Sequence, residues 1–136
     1  MAALSNYAEN ELLDVLLGFN EVAFPTHGDI YVALFTTDPG EDASGSEVSG
    51  TSYARAQLGN NTAHGKWTAA ADGVKKNAAV ITFPTAGGSW GTVTHVALFT
   101  ASTGTTELIA YGALSTSKTV GNADVFSFAV GDIQIT

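Results

Sequence analysis

The sequence predicts a mainly β fold, an antiparallel β-sandwich of jelly-roll-like type with about eight strands and one short N-terminal α-helix. Three observations predict it. Leucines at helical spacing are confined to residues 1–18. After Pro25, β-rich runs recur at roughly ten-residue spacing with Gly, Pro, Asn and Asp between them. No helical period interleaves with these runs, which argues against a βαβ arrangement.

The helix comes first. Ser5 or Asn6 caps its start, and Glu9 sits in the first turn near the positive end of the helix dipole. Leu12, Leu13, Leu16 and Leu17 form one stripe, with Asn10, Glu11 and Asp14 turned away from it. Gly18 supplies the stop. So short a helix does not hold by itself. The stripe is expected to dock on the chain's own sheet, with a neighbouring subunit as the alternative. Those four leucines are therefore the candidate interface.

The strands follow. Asp29–Thr37 closes on the turn Asp38-Pro39-Gly40, and a polar loop leads to a shorter strand over Tyr53–Leu58. A weak strand near Lys66–Ala69 precedes a longer one, Val74–Phe83, which Pro84 ends. Thr92–Thr100, Leu108–Leu114, Asp124–Val130 and Asp132–Thr136 complete the set. Within Asp124–Val130, Phe126, Phe128 and Val130 alternate with Val125, Ser127 and Ala129. The 136 residues read as a single domain, 1–136, with the helix in 1–18 and the sandwich in 26–136.

One pentapeptide occurs twice, at Val32–Thr36 and Val96–Thr100, and each copy reaches a glycine four residues later, Gly40 and Gly104. In both copies Val, Leu and Thr share one face of a strand while Ala and Phe share the other. Apolar groups on both faces mark central strands buried on both sides. They are expected to be equivalent partners across the sandwich, ahead of a true duplication or a repeated ligand site.

Charge narrows the function. The net charge is −8, and only 13% of residues are charged. Lys66, Lys75, Lys76, Lys118 and Arg55 are too scattered for a phosphate-tracking stripe, so nucleic acid is not an expected partner. There is no cysteine to form a disulfide, a thiolate metal site or a nucleophile. The N-terminus lacks the positive start and apolar core of a signal peptide, and no run approaches a membrane span. A soluble chain made in a cytoplasm is expected.

Several patterns invite chemistry and fall short of it. Gly87–Gly91, "GGSWG", matches a nucleophile elbow, but that motif needs a strand before it and a helix after it. His27, His64 and His95 lie in different elements with no metal-ligand spacing. Asp38, Glu41, Asp42 and Glu47 lack the order of a calcium loop and read as a solvated surface. "NNT" at Asn60–Thr62 fits a glycosylation acceptor that carries no weight without a secretion signal. Tyr53, Trp67, Trp90 and Tyr111 suit either a sugar-stacking platform or interior packing, and packing is the preferred reading. Tyr53, Trp67 and Trp90 are kept as candidate surface-loop recognition residues. No catalytic, cofactor or metal residues are expected.

The segments "LSNYAENELLDVLLG", "YVALFTTDPGEDASGSEVSGTSYAR", "AAVITFPTA", "WGTVTHVALFTASTG" and "YGALSTSKTV" occur in that order. In this the chain resembles a family of small virion structural proteins of tailed bacteriophages, often labelled tail fibre proteins. The resemblance runs from Leu4 to about Val130. It implies a non-enzymatic, oligomeric virion component whose partners are itself and other virion proteins, the major capsid protein first. A capsid decoration or cement role is expected, because the chain is short and has no fibrous repeat. The alternative is a tail fibre or tail-associated module that binds a host receptor or glycan. "GNNTAHGKWTAAADGVKKN", after Leu58, departs from the family pattern and is expected to present a member-specific surface.

Overall fold

A computed structural model of the chain describes residues 3–17, 29–58 and 66–136. In chain order these form β1 (Ala3–Leu4), α1 (Asn6–Leu17), β2 (Tyr31–Phe35), β3 (Ala56–Gln57), β4 (Lys75–Lys76), β5 (Ile81–Thr82), β6 (Gly91–Phe99), β7 (Leu108–Val120), β8 (Ser127–Phe128) and β9 (Gln134–Ile135). Every strand pairing is antiparallel. A five-stranded sheet has the order β1-β7-β6-β2-β3, and two small sheets pair β4 with β9 and β5 with β8. The mainly β, antiparallel architecture with one short helix is the one the sequence predicts.

The repeated pentapeptides build the centre of the large sheet. Val32, Leu34, Val96 and Leu98 face one way and join a core with Ile81 and Phe128 from the small sheets and with Phe83, Phe126 and Ile133 beside them. Ala33, Phe35, Ala97 and Phe99 face the other way and pack with Ala43 and Leu108. Phe35 and Phe99 stack there with ring centroids 6.3 Å apart. Both strands are thus buried on both faces, as their composition requires. Their placement differs from expectation in one respect. The copies are not partners across a sandwich but adjacent strands of one sheet, with Ala33 opposite Ala97. Identical apolar segments gain as much from lying side by side, where each side chain meets its counterpart across the ladder.

Other boundaries moved for local reasons. Val74–Phe83 is not one strand: it divides into β4 and β5 around Asn77, a fully buried residue whose side chain replaces the ladder at that point. The expected strand at Lys66–Ala69 is reduced to a bridge between Trp67 and Asn77. β7 runs past Leu114 to Val120, because Val93 pairs with Lys118 while His95 pairs with Ala113. Leu114, Ser115, Thr116 and Ser117 therefore oppose Thr94 alone, as an extended bulge. Val130 lies in a turn and is exposed, so the alternation of Phe126 and Phe128 stops before it.

Candidate assembly surface

α1 is fixed at its N-terminus by one serine. The Ser5 hydroxyl accepts the Ala8 N–H at 3.3 Å, which caps the helix, and it donates to the Leu108 carbonyl of β7. The Ser5 N–H donates to the Ile109 carbonyl at 3.0 Å, while β1 pairs with β7 just before it. Ser5 is fully buried. Cap and anchor are the same residue, so the helix start is pinned to the edge of the large sheet.

The rest of the helix is less covered. Leu12 is half-buried, but Leu13, Leu16 and Leu17 are 52%, 66% and 82% exposed. The expected docking of this stripe on the chain's own sheet is therefore corrected for these three residues. One face of the sheet packs on residues of and beside the small sheets, and the apolar side chains of the other face cluster with Ala43 and Tyr111. The helix is left at the edge, against β1 and β7. Gly18, the expected stop, lies outside the described residues.

The surroundings of the helix are acidic. Within Asn6–Leu17, Glu9, Glu11 and Asp14 have no basic residue to offset them. Burial first, then the charges of Glu11 and Glu107, hold the Tyr7 hydroxyl above its usual pKa. Burial, then Glu41, Asp38 and Glu9, do the same for Tyr111.

A second constellation sits at the far edge of β2. The chain's single arginine, Arg55, has a side chain only 2% exposed. Its Nε and Nη2 donate to the two carboxylate oxygens of Glu47 at 2.8 and 2.7 Å, a bidentate pair. Nη1 donates to the Ala101 carbonyl at 2.9 Å and Nη2 to the Gly104 carbonyl at 2.5 Å. The guanidinium lies 3.8 Å above the centre of the Phe99 ring. The Tyr53 hydroxyl donates to Glu47 at 2.9 Å and accepts the Leu34 N–H at 2.9 Å. Strand β2, the segment at Glu47 and the β6–β7 loop are tied together through these three side chains.

The aromatic candidates are structural. Trp90 is only 4% exposed, and its Nε1 donates to the Thr51 carbonyl at 3.0 Å. Tyr53 meets it edge to face at 5.3 Å and stacks on Phe83 at 6.4 Å. Trp67 is half-buried against the same core. The polar tips of Tyr53 and Trp90, both expected as surface-loop recognition residues, bond to main-chain and Glu47 partners inside the molecule. Gly50 makes the fit possible, since a Cβ there would lie 2.3 Å from Trp90 Cδ1.

The remaining motifs resolve locally. "GGSWG" is followed by strand β6, not a helix, and the Ser89 hydroxyl accepts the Gly91 N–H at 3.3 Å within the turn. Gly91 itself has φ +80°, a conformation that favours glycine. Asp38 accepts the Gly40 N–H and Asp42 the Ser44 N–H, so these carboxylates shape the loop that ends β2. His95 lies on β6 with Nδ1 2.8 Å from Thr94 Oγ1. His27, His64 and Asn60–Thr62 lie outside the described residues.

With that geometry in place, comparison with protein families is decisive. Residues 3–136 match the family described as podophage GP4 fiber I protein gp80. The chain belongs to this family. No curated protein matches it. A member of the gp80 fibre family is a structural component of a phage virion, in agreement with the resemblance carried by its sequence segments. No helix of its described residues is long and apolar enough to cross a membrane.

In this gp80-family chain the sequence brought forward the leucine stripe and missed the Glu47–Arg55–Tyr53 cluster. One signal for the cluster was present: a lone arginine in a charge-poor run, between Ala54 and Ala56. Tyr53 gives a solution test of the cluster. Burial, the largest cause, raises the pKa of its hydroxyl well above 10 in the folded chain. A raised acid pKa stabilises the fold below the unfolded value and loses that contribution as pH rises past it. Stability should therefore fall above about pH 10, the ordinary tyrosine value. In an alkaline titration followed by tyrosinate absorbance, one tyrosine should ionise only on unfolding. Tyr53→Phe should remove that late step.

Proposed function

We propose that this chain is a non-enzymatic module of a phage fibre, held in the virion by the apolar face of α1 docking on a neighbouring virion protein. The carrying observation is the exposure of Leu13, Leu16 and Leu17 on a helix that is capped and anchored at its other end. Burying a leucine side chain contributes roughly 1.5–3 kcal/mol, so three of them amount to a substantial adhesive face. The acidic residues Glu9, Glu11 and Asp14 on the same helix favour a partner with a basic rim over a second copy of the helix.

The family description, a podophage fibre protein, supports this reading, while the chain's shortness is what favours a capsid cement role. Interior placement of Tyr53 and Trp90 gives no support to a glycan-binding loop. The test is Leu16→Gln/Leu17→Gln. Both positions are exposed, so the melting temperature of the isolated chain should stay near wild type, with a stability change within about 0.5 kcal/mol. Virions assembled with this variant should contain at least about tenfold less of the chain, the equivalent of 1.4 kcal/mol of lost docking. Normal incorporation of the folded variant would remove the helix face from this reading.

A further inference from the structure

The cations of this chain gather at one end. Arg55 is spent on Glu47, and Lys118 lies over the Phe126 ring. The remaining lysines, Lys66, Lys75 and Lys76, all fall in the segment 66–76, where Asp72 is the one acid. Trp67 bridges to Asn77. The Thr68 N–H donates to the Lys76 carbonyl at 2.8 Å, and the Ala78 N–H to the Lys66 carbonyl at 2.7 Å. This register sets Lys66, Thr68 and Lys76 on the side opposite Trp67, which packs against the core that the small sheets share. Beside them is an open groove of about 400 Å³, lined in part by Ala69, Ala71, Val74 and Lys76.

The acids of α1 belong to a different surface. Glu9 is exposed and lies four residues before Leu13 and seven before Leu16, so it heads their stripe on the helix. After burial, the charges of Glu41, Asp38 and Glu9 raise the Tyr111 pKa, which places these carboxylates around Tyr111. Tyr111 packs with Ala33, Phe35, Ala97 and Phe99, on the face of the large sheet away from the small sheets. Among the described residues, neither the acids of α1 nor Lys66, Lys75 and Lys76 take part in an ion pair. One end of the molecule therefore offers leucines beside a carboxylate, and another offers an alanine-lined groove beside lysines.

We propose that the α1 face of one copy docks on the 66–76 end of a second copy, Leu13, Leu16 and Leu17 covering the groove while Lys66 and Lys76 meet Glu9. This rests on the docking reading of α1 and names its partner. Opposite charges at the rim fix the orientation of such a contact. The net charge of −8 does not oppose it, since charge is screened beyond about 10 Å at 0.1 M salt and the local pairs decide. The two surfaces differ, so the contact is heterologous, and a joined pair still presents one free surface of each kind to a third copy.

Analytical ultracentrifugation of the isolated chain tests this. The wild-type mass should rise with concentration and pass that of a dimer. Leu16→Gln/Leu17→Gln lacks one surface and Lys66→Gln/Lys76→Glu lacks the other. Each alone should need at least about tenfold more protein to associate, and thermal melting checks that each is folded. Mixed in equal amounts, the two variants should form a one-to-one dimer and stop there, because a single complementary pair of surfaces remains. A folded lysine variant that assembles as the wild type does would overturn the proposal, and so would a mixture that stays monomeric where the wild type assembles. A wild-type chain that is monomeric at every concentration would overturn it too. The docking reading of α1 would survive that result if Leu16→Gln/Leu17→Gln were still lost from virions.

Discussion

Arg55→Met is expected to cost about 3–5 kcal/mol, a large share of the stability of a small domain. The guanidinium is almost wholly inside, and removing it strands several groups at once. Glu47, whose side chain is 26% exposed, keeps its carboxylate with the Tyr53 hydroxyl and solvent in place of the guanidinium fork. The carbonyls of Ala101 and Gly104 lose their donor, and the Phe99 ring loses the cation above it. Arg55→Lys should recover only part of the loss, because one ammonium cannot reach both carboxylate oxygens and both carbonyls in the fork that Arg55 spans. The pairing of loss with partner is checked by the double variant Glu47→Met/Arg55→Met. Removing both charges should restore much of the stability, since the penalty in the single variant comes from the charge left behind. Denaturant unfolding of the four chains measures this. Hydrogen exchange should quicken in the loop after β6, whose other tie is the contact of Thr100 with Glu107.

Asn77→Leu is the second large expected effect, about 3 kcal/mol or more. Leucine keeps the branching and the number of side-chain heavy atoms, its bulkier methyl groups add to the cost, and the main loss is of hydrogen bonds. Asn77 Nδ2 donates to the Ala79 and Ala129 carbonyls at 2.9 and 2.8 Å, and Oδ1 accepts the Ile133 N–H at 2.9 Å. Its main chain adds bonds with Ile133 and Gly131. One side chain thus joins the segment between β4 and β5 to the segment between β8 and β9. With leucine there, three main-chain groups lose their partner, and each such buried loss costs about 1–3 kcal/mol. The unfolding midpoint should fall with an unchanged denaturant slope. Asn77→Asp should be similarly damaging at neutral pH, because a carboxylate brings lone pairs against two carbonyl oxygens.

These two residues also mark where the sequence was legible and where it was not. Periodicity carried the helix and the doubly buried character of Val32–Phe35 and Val96–Phe99, because one strand's two faces are visible in its own residues, and residue type narrowed the cap to Ser5 or Asn6. What depends on contact between distant segments was hidden. No local pattern tells that the two pentapeptides are neighbours in one sheet. Asn77 reads as an ordinary polar residue until Ala129 and Ile133 are brought to it. Glu47 reads as a solvated loop acid until Arg55 turns toward it. β1 was missed because Ala3–Leu4 has no strand signature of its own and exists only as a partner for β7. The leucine stripe was found by its spacing, but whether it docked depended on faces that other parts of the chain had already filled.

The proposed role is that of a structural piece of a fibre, acting through surfaces that fit other proteins. Immunogold labelling of intact virions with an antibody to the folded chain tests it most directly. Gold along the fibre is the predicted result. Gold distributed over the head, or particles carrying no label at all while the chain remains free in the lysate, would contradict it.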